Sequence, residues 1–347
     1  MLKAEFIRRD LKFIKPAGTS RGVLLDKPSW YLKISDENNN TGIGECSIIP
    51  GLSIDPVERI EEQLITICKE INDIRSWDLK EKLKEFPSLQ FCVEMALLDL
   101  NNKEPFLLYP STFTQGKASI QINGLIWMGT KPSMLSQIKD KLELGFRCIK
   151  LKIGAIDWEE ELSLLQFIRS HYSKEVLELR VDANGGFSPE NALVILDKLH
   201  QLDIHSIEQP IMAHQSNAMK SLCSKTSIPI ALDEELIGCR TLQEKANLLD
   251  KIQPQYIILK PSLLGGFAEA EEWIKLAENR HIGWWATSAL ESNIGLSAIA
   301  QWTATLNSSM PQGLGTGALF HNNIDSPLEL KGDKLFYGDS SWDLNML

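Results

Sequence analysis

Five charged residues recur along the middle of the chain at nearly constant spacing, each closing a short apolar or β-branched run: Lys152, Asp182, Glu208, Asp233 and Lys260. The intervals are 30, 26, 25 and 27 residues (182−152, 208−182, 233−208, 260−233), close to the ~30 residues of one strand-plus-helix unit. In a parallel barrel the C-terminal strand ends share one face, so Asp182, Glu208 and Asp233 would bring three carboxylates to one point at the mouth. Hard oxygen donors with room for water or substrate oxygens suit Mg²⁺. No histidine joins them, which counts against zinc. Lys152 and Lys260, four strands apart in a ring of about eight, would face each other across that mouth. Lys150 lies two residues before Lys152 and shares its inward face. Crowded cations lower a lysine's pKa, as a lysine general base at neutral pH requires.

Each member alone has an ordinary reading. A strand-end carboxylate more often caps a helix or makes an ion pair than binds a metal, and two lysines on a strand can form a solvated edge. The joint pattern carries the signal. Arg180 shares the inward face of Asp182 and is expected to pair with a metal-binding carboxylate. The glycine-rich segments around Gly185, Gly265 and Gly313 lack any phosphate-binding spacing and read as turns.

The elements that must position these residues follow from hydrophobic periodicity. Barrel strands are expected at 118–123, 146–153 and 177–182, then one ending at Glu208, then 228–233, 256–260 and 283–287, with a short last one near 313–315. Helical stripes separate them. Gly145 stops one helix, and Ser188-Pro189 opens another as N-cap and first-turn proline. Before the barrel, strands at 4–15, 22–35 and 41–47 and helices at 56–72 and 89–101 suggest a small α+β unit. The residues Asn38, Asn39 and Asn40 mark a hairpin turn. The division expected is 1–115, 116–317 and 318–347, the last holding a hairpin that returns to the first unit.

With 347 residues, 43% hydrophobic and 24% charged, the composition is that of a soluble globular protein. A formal charge of −10 argues against nucleic-acid or anionic-membrane partners, which select basic patches. Six scattered cysteines without metal-binding spacing read as free thiols of a reducing cytoplasm. The N-terminal residues mix charges too often for a signal peptide or a span. A cytoplasmic enzyme of a small anionic substrate is expected, with oligomerisation left open.

The motifs Lys150-Leu151-Lys152, Val181-Asp182-Ala183-Asn184, Ile207-Glu208-Gln209-Pro210, Ala231-Leu232-Asp233-Glu234 and Leu259-Lys260-Pro261 resemble the successive strand-end motifs of the enolase superfamily, muconate-lactonizing subgroup. The resemblance spans nearly the whole chain. It implies an α/β fold: a (β/α)7β TIM-like barrel with an N-terminal α+β capping domain completed by the C-terminal tail. It also implies a lysine base and an Mg²⁺-stabilised enediolate, with Asp182, Glu208 and Asp233 as ligands and Lys152 and Lys260 as catalytic groups.

Within the superfamily, the Ser20-Arg21-Gly22 loop, the Pro50-Gly51-Leu52-Ser53 loop and the segment Ser288-Ala289-Leu290-Glu291-Ser292-Asn293 are similar to those of the o-succinylbenzoate synthase family. The resemblance implies dehydration of a cyclohexadiene carboxylate, with substrate contacts from Lys150, Ser20, Arg21, Asn184, Ser288 and Asn293. Asn293 has an equal reading as a helix cap, and Leu52 is expected to pack the capping domain on the barrel and not to touch substrate. The late loop Gly313-Leu314-Gly315-Thr316 is similar to that family's, with a glycine where an acidic residue is expected. Rival readings are a dipeptide epimerase or N-acylamino acid racemase of the same scaffold, a Schiff-base aldolase, and a non-catalytic barrel.

Overall fold

The computed structural model describes residues 1–19, 22–102, 104–154 and 156–343. It opens with five strands, β1 (Lys3–Arg8), β2 (Leu11–Thr19), β3 (Gly22–Lys27), β4 (Ser29–Ser35) and β5 (Thr41–Ser47). The expected strand at 22–35 is two, because Pro28 has no N–H with which to continue a ladder. The stretch 4–15 is likewise broken, at residues 9–10. β2 and β3 pair as a separate antiparallel ribbon, while β1, β4 and β5 form an antiparallel sheet in that order. Asn39, at φ +62°, makes the expected turn into β5, and Asp36 accepts the amides of Asn38 and Asn40.

Helices α1 (Ile60–Lys69), α2 (Leu79–Lys82) and α3 (Pro87–Leu100) cover this sheet. Trp30, Leu32, Ile34, Leu64, Leu89 and Val93 fill the space between. α3 lies so close to β5 that a Cβ on Gly42 or Gly44 would overlap the carbonyl oxygens of Ala96 and Cys92.

The barrel follows: β6 (Ile120–Gln121), β7 (Gly124–Ile126), α4 (Lys131–Glu143), β8 (Cys148–Lys152), α5 (Trp158–His171), β9 (Glu178–Asp182), α6 (Pro189–His200), β10 (Ser206–Glu208), α7 (Ser216–Lys225), β11 (Ile230–Leu232), α8 (Leu242–Ile252), β12 (Tyr256–Leu259), α9 (Pro261–Leu264), α10 (Phe267–Glu278), β13 (Gly283–Ala286) and α11 (Asn293–Thr305). Strands β7 to β13 form a curled parallel sheet in sequential order. Residues 312–313 close the ring: Gly313 bridges Thr287, and Gln312 bridges Ile122, both in parallel sense.

The first strand of the parallel sheet is therefore β7, later than the expected 118–123, although Ile122 of that stretch carries the ring closure. β6 instead pairs antiparallel with the tail, which forms β14 (Leu328–Lys331) and β15 (Lys334–Tyr337). Its ladder is taken by Lys334 opposite Gln121 and Leu335 opposite Ile120. The tail also reaches the N-terminal ribbon, where Phe320 bridges Phe13 and the amide of His321 donates to Lys12 O. Among the described residues no helix is long and apolar enough to cross a membrane.

Polar contacts tie the capping elements to the barrel. Glu94 of α3 accepts the first backbone amides of α10, from Phe267 at 2.7 Å and Ala268 at 3.0 Å. It thereby caps a helix of the other unit. Lys80 of α2 meets Glu269 and Glu272 of α10.

Two outcomes are expected. Gly44→Ala should lower stability by about 2 kcal/mol or more through overpacking of α3 on β5, measured by urea denaturation. Burial pushes the Glu94 carboxyl up to about 7 against its two backbone hydrogen bonds. A folded pKa above the unfolded value adds stability that is complete below about pH 4.5 and lost as pH rises through 7. Between pH 5 and 8 wild type should therefore lose about 2 to 3 kcal/mol more than Glu94→Gln. Parallel pH-dependent denaturation curves for the two proteins would contradict this.

Candidate active site

Short strands and their registers bring the five spaced residues together. Lys152 pairs with Asp182 across β8 and β9, and Asp182 with Glu208 across β9 and β10, so all three lie at one level. Asp233 and Lys260 each follow directly on β11 and β12. Lys150 Nζ stands 3.1 Å from Asp182 Oδ2 and 2.8 Å from Glu208 Oε2. Lys152 Nζ lies 3.2 Å from Asp182 Oδ2 and donates to Asn184 Oδ1 at 2.7 Å. Lys260 Nζ pairs with Asp233 Oδ2.

The residues just past the carboxylates hold them in place. Asn184 and Gln209 both have positive φ, at +43° and +39°, a conformation that side-chain-bearing residues rarely adopt. The Asn184 amide N–H donates to Asp182 Oδ1, and its side chain to Glu234 Oε1. Gln209 Oε1 accepts the backbone N–H of Asp233 at 3.1 Å. Strained backbone at these two positions is thus held by contacts to the carboxylate-bearing elements.

Burial makes the electrostatics severe. Desolvation, with the charges of Asp182 and Asp233, pushes Glu208 up to about 7. Asp233 is also raised, by burial first. Asp182 is held well below the usual carboxylate range, because Lys150, Lys152 and Lys260 outweigh its desolvation. Lys150 and Lys260 sit among these carboxylates. Burial lowers both, but the surrounding carboxylates outweigh it and drive both upward.

Among the described residues, no three His, Cys, Asp or Glu side chains stand as a ready-made metal-ligand group; the ammonium groups of Lys150 and Lys260 sit against the carboxylates. The donor chemistry nevertheless fits a hard divalent cation. Glu208 Oε1 is buried without a hydrogen-bond partner, and Asp182 and Asp233 raise its proton affinity as crowded anions do.

A cavity opens above these groups, lined by Lys150, Lys152, Asp182, Asn184 and Lys260. Ser288 also lines it, with its hydroxyl 2.6 Å from Thr316 Oγ1. Asn293 does not: its amide donates to Ile324 O, fastening the tail, and Ser292 is the N-cap of α11. Leu52 lines the cavity as well as packing in the apolar cluster of Leu11, Phe13 and Leu263, so it does both jobs. Ser20 and Arg21 lie outside the described residues. Arg180 does not pair with Asp182, Glu208 or Asp233. It stacks over Trp285 at 4.2 Å and bonds Glu178 and Pro311 O, at the other end of its strand.

Sequence reasoning missed one wall. Asn123, Leu125 and Trp127 line the cavity from the first barrel strand and its end, and Gln137 holds both the N–H and the C=O of Trp127. Their spacing of two is the signal of one strand face, obscured by placing that strand too early. Thr287 and Gly313 add the wall beside the ring closure. A Cβ on Gly313 would stand 2.5 Å from Thr287 Oγ1, so any side chain there would displace Thr287.

The chain matches a model of enolase C-terminal domain-like proteins over residues 133–335. It is 48% identical to the o-succinylbenzoate synthase of Desulfotalea psychrophila, covering 96% of this chain and 98% of that protein. The crystal structure of MenC from Desulfotalea psychrophila superposes with a TM-score of 0.86 at 44% identity, over 96% of this chain and 99% of the other. The L-Ala-D/L-Glu epimerase of Bacillus subtilis is more distant in sequence, 23% identical over 96% of this chain and 90% of its own length. A substrate-liganded structure of that epimerase has a TM-score of 0.83 at 20% identity, over 96% and 95% of the two chains, a likeness of fold. From the family match together with the near-complete coverage at 48% identity, the chain belongs to the enolase superfamily, among the enolase C-terminal domain-like proteins.

Proposed function

We propose that this chain is an o-succinylbenzoate synthase, a hydro-lyase of menaquinone biosynthesis. It would dehydrate 2-succinyl-6-hydroxy-2,4-cyclohexadiene-1-carboxylate to o-succinylbenzoate in the cytoplasm. The observation that carries the reading is the placement of Lys152 and Lys260 on one cavity with Asp182, beside Glu208 and Asp233, in a chain 48% identical to such a synthase.

Asp182, Glu208 and Asp233 would hold one Mg²⁺. When bound, the ion supplies positive charge for the substrate carboxylate and for the negative charge that develops beside it. Lys152 removes the proton next to that carboxylate. Asn184 Oδ1 and Asp182 fix its Nζ, so the base is aimed before substrate arrives. The same ammonium then returns its proton to the departing hydroxyl, and the net change is loss of one water. Lys260 holds charge on the opposite face of the ring. Lys150 neutralises the buried carboxylates from below, and Ser288 offers a hydroxyl to the substrate's side arm. Ser20 and Arg21 are assigned to the same arm by resemblance alone.

The units at 1–115, 116–317 and 318–347 serve as cap, catalytic barrel and returning tail. An apolar cluster drawn from residues 30–100 supports the first boundary, and pairing of the tail with β2 and β6 supports the last.

Lys152→Ala should cut dehydration by about 10³-fold or more with fold and Mg²⁺ affinity intact, read by loss of cyclohexadiene absorbance and by calorimetric Mg²⁺ titration. Retained turnover would remove the base assignment. Glu208→Gln should weaken Mg²⁺ binding at least tenfold, and EDTA should silence wild type. Fast racemisation of an N-succinyl amino acid without dehydration would move the chain to the epimerase reading.

A further inference from the structure

Outside the reacting groups the structure buries a second set of charges, between the cap and the barrel. Lys27, at the end of β3, is fully buried, as are Glu45 of β5 and Glu291 of the loop after β13. Its ammonium donates to Ser47 Oγ, with Ser29 Oγ 3.5 Å away, and both carboxylates act on it electrostatically. A buried lysine in the field of two buried carboxylates is poor evidence of stabilisation, since an apolar replacement of similar volume often does as well. What its members hold points to another use.

Glu45 reaches across to α11. Oε1 accepts the amide of Ser292 at 2.8 Å, and Oε2 accepts Ser292 Oγ at 2.6 Å and the amide of Gly295 at 2.9 Å. Glu291 accepts the amide of Ala289 at 2.8 Å and the hydroxyl of Ser262. Ser262 lies two residues after Lys260, in α9. Ala289 and Leu290 line the cavity, and Leu290 is held at φ +61°, a costly conformation for a branched side chain. On the cap side, Ser47 ends β5 and the chain runs directly into Ile49, Pro50 and Leu52, which also line the cavity.

We propose that the buried Lys27–Glu45–Glu291 cluster is a positioning device that sets three cavity walls relative to one another: residues 49–52 of the cap, residues 288–290, and the turn carrying Lys260. None of the three residues lines the cavity. They act through Ser47, Ser292, Ala289 and Ser262, and the proposal rests on the cavity's being the substrate site. Glu45 needs both carboxylate oxygens, because a glutamine there would set an NH₂ against the backbone N–H of Ser292 or that of Gly295. Glu291 bears on Lys260 as well as on the loop, so its loss reaches the chemical step.

The test uses the full-length Mg²⁺-loaded protein with Glu45→Gln, Glu291→Gln, and a triple variant adding Lys27→Met to both. Amide hydrogen exchange at Ala289 and Leu290 should speed up at least tenfold in the folded single variants, a readout that needs no turnover. In steady-state dehydration, Glu45→Gln should raise KM about tenfold with kcat little changed, as expected of a misplaced binding wall. Glu291→Gln should lower kcat too. The triple variant, free of unpaired buried charge, should regain thermal stability while KM stays high. Unchanged exchange in the single variants overturns the proposal, and so does a KM that recovers together with stability in the triple variant. A wild type that binds Mg²⁺ but does not dehydrate would sink the functional reading alone, leaving exchange to decide this one.

Discussion

Three carboxylates buried within reach of the same lysines are the constraint on which this molecule turns. Isolated buried anions are too costly to keep, so Asp182, Glu208 and Asp233 demand compensating cations on neighbouring strands. Lys150 and Lys260 supply them here, and the carboxylates drive both lysine pKa values upward. The barrel's registers, the strained residues Asn184 and Gln209, and the backbone hydrogen bonds that fix the carboxylates all serve this concentration of charge. Binding a divalent ion at these oxygens would exchange one form of compensation for another, which is why the same side chains are plausible partners of both.

The period of strand and helix was readable because each barrel unit repeats one physical requirement, an apolar strand ending in a charge at the shared face. Strand identity was readable wherever the ladder partner was the neighbour in sequence. It failed at 118–123, where the partner of β6 comes from more than two hundred residues later. Local periodicity holds no information about such a pairing. The cavity wall of Asn123, Leu125 and Trp127 was lost with that strand.

Side-chain environment was less legible than backbone. Facing inward told that Arg180 is buried, but the level along the barrel decided its partners, and a position two residues before Asp182 sends the guanidinium to Trp285 and Pro311. Counting cations near cations leaves out the anions that surround Lys150 and Lys260 and drive both upward. The family resemblance implies a substrate contact for Asn293. Its side chain points to the tail instead, since Ser292 already occupies the capping position.

The ring closure at residues 312–313 has a consequence of its own. Where the other barrel positions are strands of several residues, this one is a pair of isolated bridges, and Gly313 is simultaneously a rung of the barrel and a tile of the cavity wall. Any side chain added there would press on Thr287 and strain the seam before it could meet a ligand. Changing what the cavity accepts at that corner is therefore an architectural change, and a lineage drifting toward a new substrate would have to rebuild the seam and the wall together.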